Sequence, residues 1–176
     1  MTDEAFWQLI GRAVEQPGDR DERAEWLTEE LTRLPRAQVV DFATRLAAVR
    51  CRADTPALAA AARLIHAGQC SEDAFRSFQL WLLTLGRDRF DTVVADPDAL
   101  ADLPEVQALA ARPVREWSAQ DWPEWESLDY AAHEAWAEGG GGEYGLEQEL
   151  PGGSGTVSAQ APVPVELPRL AALFGG

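Results

Sequence analysis

The stretch His66-Ala67-Gly68-Gln69-Cys70-Ser71-Glu72-Asp73 sets an imidazole, a thiol, a hydroxyl and two carboxylates directly ahead of an apolar helical pattern. A cysteine just before a helix meets the positive end of the aligned peptide dipoles, which favours the thiolate and so a nucleophile. Glu72 and Asp73 oppose that effect, because negative charge beside the sulfur raises its pKa. With Arg76 placed to hold an anion, the residues of a candidate pocket are Cys70, Ser71, Asp73, Arg76 and Trp81. The competing explanation is local structure, in which Ser71 caps the helix, the two acids complement its dipole and Cys70 packs as a small apolar residue.

Other chemistries are weaker still. His66 and Cys70 stand four apart, and with Cys51 and an acid they would make four ligands, but no C-x-x-C or H-E-x-x-H spacing supports a metal, and none is expected. A carboxylate pair for hydrolysis is best drawn from Asp73 with Asp96 or Asp98, yet Asp96 followed by Pro97 reads first as a helix cap. All fifteen basic side chains are arginine, so a Schiff-base lysine and the lysine of a phosphate-binding loop are excluded. With no nucleophile elbow, glycine-rich phosphate loop or calcium loop, no catalytic residue is assigned, no cofactor is expected, and an enzyme is the less favoured class.

A second constellation lies at "REWSAQDWPEWESLDYAAHEAW", residues 115–136, where four tryptophans alternate with six acids and no base follows Arg115. Residues 116–176 hold 11 acids against one arginine, whereas residues 1–115 hold 19 against 14, within a net charge of −15. Tryptophan supplies contact area and like-signed charge supplies steering, so Trp117, Asp121, Trp122, Glu124 and Glu126 form a candidate surface for a basic protein partner. The same field repels phosphate backbones, which argues against nucleic acid. Trp125, Leu128, Ala132 and Trp136 recur at helical intervals and are expected to face a core behind a helix start at Asp121 to Pro123.

The elements that must position these groups are helices. Phe6, Leu9, Ile10, Ala13 and Val14 form a first stripe, Leu27, Leu31 and Leu34 a second, and Val39, Phe42, Ala43, Leu46 and Val49 a third that opens at Pro35. Thr55-Pro56 starts a fourth helix ending at Gly68, and Ser71 starts a fifth whose Phe75, Phe78, Leu82 and Leu85 turn inward before Gly86 stops it. Shorter helices follow around Phe90 to Val94, after Asp96-Pro97 and from Pro104 to Ala111. Alternating or β-branched clusters are nearly absent, so the predicted class is all-α: an irregular single domain of about six to eight helices over 1–138. A Gly/Pro-rich acidic linker over 139–166 is expected to be flexible, and the short segment 167–176, ending "LPRLAALFGG", to dock through Leu170, Leu173 and Phe174. The first twenty residues are acidic and amphipathic rather than basic and then apolar, and no apolar run approaches the ~18 residues of a membrane span, so a cytoplasmic protein with reduced cysteines and no membrane contact is expected.

Taken together, Phe6-Trp7, the run Gly68 to Asp73, Phe75, Phe78, Trp81-Leu82 and Gly86, the Asp96-Pro97-Asp98 segment with Leu100, and Pro168-Arg169-Leu170 with Leu173-Phe174 resemble the bacterial domain of unknown function 4240 family. The sequence departs from that pattern at Gln69, where a second glycine is usual, and at Glu72, where aspartate is usual. The resemblance implies a helical fold and no established activity.

Overall fold

The computed structural model describes residues 1–142, 145–150 and 165–175, and every regular element among them is helical. The helices are α1 (Asp3–Val14), α2 (Arg20–Thr32), α3 (Arg36–Ala53), α4 (Pro56–Ile65), α5 (Glu72–Trp81), α6 (Arg87–Ala95), α7 (Pro104–Ala110), α8 (Ala131–Glu138), α9 (Gly145–Glu149) and α10 (Pro168–Phe174). Tighter 3-10 turns lie at Leu82–Leu85, Pro97–Asp102, Val114–Glu116 and Glu126–Asp129. The "PGGSG" linker and most of the "APVPVELP" stretch fall outside the described residues. Among those described, no helix is long and apolar enough to cross a membrane.

Local chemistry sets most helix boundaries. Thr2, Asp19, Thr55 and Ser71 each accept a backbone N–H with the side chain at a helix start, and at α2 Glu22 reaches back to Asp19 to complete a capping box. Pro56, Pro97, Pro104 and Pro168 occupy first turns, where a missing N–H removes no hydrogen bond. Gly86, with φ of 80°, closes the turn after α5 in a conformation that favours glycine.

The chain divides into two compact units, Met1–Cys51 with Trp125–Thr156, and Arg52–Glu124 with Val157–Gly176. In the first, α2 packs against both α1 and α8. Phe6 and Phe42 are fully buried with ring centres 5.2 Å apart. Trp125 donates its indole N–H to the Arg20 carbonyl at 3.0 Å, Thr32 donates to Glu138 at 3.1 Å, and Arg50 pairs with Asp129 at 2.7 Å. The expected helix from residue 121 does not form: a 3-10 turn precedes α8, which begins only at Ala131. Trp125, Leu128, Ala132 and Trp136 are all buried nonetheless. In the second unit, α4, α7 and the 3-10 turn Pro97–Asp102 pack against α10. Leu58, Ile65, Phe78, Leu82, Phe90, Leu100 and Val106 form its core.

Candidate functional site

The sequence from His66 to Asp73 begins in the second unit as a helix ending. His66 terminates α4, the Ala67 N–H bonds the Leu64 carbonyl at 3.1 Å, and the Gly68 N–H bonds the Arg63 carbonyl at 2.7 Å. These two bonds are those of a Schellman cap, whose left-handed position usually holds glycine. Here it holds Ala67, at φ 51°, followed by Gly68 at φ 84°.

Cys70 is half-buried and Ser71 is exposed, its hydroxyl accepting the Ala74 N–H at 3.1 Å as the cap of α5. Asp73 and Arg76 are exposed, whereas Trp81 is buried and stacks on Phe78 with centres 5.5 Å apart. The thiol of Cys70 is raised above its ordinary pKa, first by burial and further by Glu124, with Arg63 only partly opposing them. At neutral pH this sulfur is a protonated thiol and a poor nucleophile.

The acidic tryptophan stretch meets this region through His66. That imidazole is 1% exposed, stacks on Trp122 at 5.5 Å and meets the edge of Phe78 at 5.9 Å. Its Nδ1 lies 2.7 Å from the Ala62 carbonyl, which places the proton there, while Nε2 faces Glu124 at 3.3 Å without a well-formed hydrogen bond. Trp117 is buried, packs edge-on against Trp122 at 5.2 Å and donates to the Arg112 carbonyl at 3.2 Å. Asp121 is held well below the usual carboxylate range by the Arg112 guanidinium and by the N–H and hydroxyl of Ser118. Trp117 is thus buried, Asp121 and Trp122 are half-buried, and Glu126 is exposed in the first unit.

Beside the α4 cap the second unit contains a cavity of about 480 Å³. Ala60, Leu64 and Ala67 form one wall, and Leu167, Ala171 and Phe174 another. Arg63 is the cationic side chain on its lining. Gly68 lies at its edge two residues before Cys70, but none of Cys70, Ser71, Asp73, Arg76 and Trp81 forms its walls. Arg63 is exposed and has no ion-pair or hydrogen-bond partner for its guanidinium among the described residues, in contrast to most of the other arginines.

The second wall is held in place by a polar clasp. Asp98, 6% exposed, accepts the backbone N–H of Arg169 at 3.0 Å and of Leu170 at 2.9 Å, capping α10 from across the sequence. The Arg169 guanidinium spans Asp98, Asp96 and Asp102. Burial works to raise the Asp98 carboxyl, but these N–H donors and the guanidinium together outweigh it and hold the group below its ordinary pKa. Asp96 and Asp98 therefore act on α10.

Sequence reasoning missed Arg63 and Leu64 because they look like ordinary members of an Ala-rich helix. The usable signal was the pairing of that helix with "PRLAALF", whose apolar residues need a surface to cover. Among the described residues no group of three or more His, Cys, Asp or Glu side chains is placed to hold a metal ion. Residues 1–138 match the family described as Protein of unknown function (DUF4240), so the match ends before α10. No curated protein and no solved structure matches the chain.

Proposed function

The chain belongs to the DUF4240 family, and we propose that it is a non-enzymatic cytoplasmic binding protein whose second unit holds a small apolar molecule between α4 and α10. The cavity of about 480 Å³ carries this reading. Its size falls within the roughly 300–1,000 Å³ of ligand pockets, and its walls are apolar with one cation, the usual composition of such sites. Two free cysteines, one of them exposed, suit a reducing compartment. The test is titration with Nile red, a neutral apolar dye whose emission rises in an apolar site. Saturable one-site binding is expected, and Leu64→Trp and Ala171→Trp, which fill the cavity, are expected to abolish it. Undiminished binding by both variants, each with native circular dichroism, removes the site from this cavity.

A second reading, engagement of a basic protein partner by the acidic stretch, draws on Tyr130, which is 53% exposed with exposed Glu126 before it and exposed Glu134 after it in the first unit. An exposed aromatic among like-signed charges is the composition such a surface needs. Affinity capture comparing the native chain with an E126K/Y130S/E134K variant tests it. Recovery of the same partners in the same amounts sinks the reading.

A further inference from the structure

We infer that the cavity beside α4 selects apolar carboxylates, with Arg63 as the partner of the carboxylate group. This rests on the proposal above that the cavity takes a small apolar molecule at all. The chain carries 30 acids and 15 arginines, so an arginine has abundant opportunity to find a carboxylate. Arg63 is nevertheless unpaired among the described residues, and it lines an apolar cavity whose lining, among the described residues, includes no acid. Its place in the last turn of α4 complements the helix dipole, which accounts for a cation there but not for its lack of an anion.

The chemistry of the rim selects among anions. The N–H groups of Ala67 and Gly68 are already bonded to the Leu64 and Arg63 carbonyls, so those two lining residues offer no backbone donors for the several oxygens of a phosphate. A single planar guanidinium matches a single carboxylate through two parallel hydrogen bonds. The apolar walls formed by Leu64, Leu167 and Phe174 then take a hydrocarbon body.

Calorimetric titration at neutral pH with octanoate and with 1-octanol tests this, because the two differ in the head group and share the tail. The native chain is expected to bind octanoate about tenfold more tightly than 1-octanol. Arg63→Gln is expected to make the two bind alike, and Arg63→Lys to keep part of the difference; Arg63 is exposed, so both variants should fold. Equal affinities in the native chain, or octanoate binding unchanged by Arg63→Gln, overturns the carboxylate assignment while leaving the cavity as an apolar site. Binding of neither compound overturns the assignment together with the reading beneath it.

Discussion

The chain ends two helices with the same hydrogen-bond pattern and puts different residues at the left-handed position. At the end of α8 the Gly140 N–H bonds the Ala137 carbonyl and the Gly141 N–H bonds the Trp136 carbonyl, with φ of 78° at Gly140. At the end of α4 the equivalent position is Ala67, at φ 51°. A methyl group in this conformation costs about 1 kcal/mol relative to glycine. Ala67→Gly is therefore expected to stabilise the protein by about 0.5–1 kcal/mol in urea unfolding, and Gly140→Ala to destabilise it by about 1 kcal/mol. Because Ala67 lines the cavity, the same change is expected to weaken Nile red binding, so the strained residue serves the wall at the expense of the cap. Gly141 has a different reason to be glycine: a Cβ there would stand 2.1 Å from Nε1 of the buried Trp136. Gly141→Ala is expected to cost about 2 kcal/mol or more, exceeding Gly140→Ala in the same measurement. Composition shows four consecutive glycines; only the fold shows that one follows from φ and another from the indole packed against it.

At the scale of elements, α10 depends on Asp98, whose carboxylate supplies the cap that Leu167, at the helix's own N-cap, cannot. Asp98→Ala leaves two N–H groups and the Arg169 side chain without that acceptor, and is expected to destabilise the second unit by about 2 kcal/mol or more. Protection of residues 168–174 in hydrogen exchange is the direct readout, and unchanged protection would dissociate the clasp from docking. The pH dependence follows from the lowered Asp98 pKa. The unfolded chain binds this proton more readily than the native one, so the contribution is complete above the ordinary aspartate value of about 4 and fades as pH falls from there through the native value. Faster exchange at α10 below that point, corrected for intrinsic rates and absent in Asp98→Asn, is the expected result. Elements were legible in the sequence wherever their causes are local: Thr55-Pro56 and Ser71 cap their helices as spacing predicts. The stretch 113–130 was not, because Trp125 belongs to a helical stripe by spacing and Trp122 does not, yet both are held by distant groups, Trp125 by the carbonyl of Arg20 and Trp122 by the ring of His66. Periodicity identifies the buried face of a segment and is silent on what will cover it.

At the scale of the whole molecule, an excess of fifteen negative charges sets two effects of salt against each other. Ion pairs such as Arg33 with Glu29 and Arg89 with Glu105 are exposed, and each contributes only about 0–1 kcal/mol that salt weakens. Repulsion among the surplus acids acts over longer distances, and the Debye length contracts from about 30 Å at 0.01 M to about 8 Å at 0.15 M salt. Three of the seven acids in residues 116–138 pair with Arg50, Arg112 and Arg115, and no arginine within that stretch offsets the other four. Self-repulsion therefore outweighs the pairs, and the melting temperature is expected to rise by about 2–5 °C between 10 mM and 300 mM sodium chloride. A fall over that range would show that the short-range pairs dominate. It would also weaken the case for electrostatic attraction of a basic partner, which relies on the same unscreened negative field.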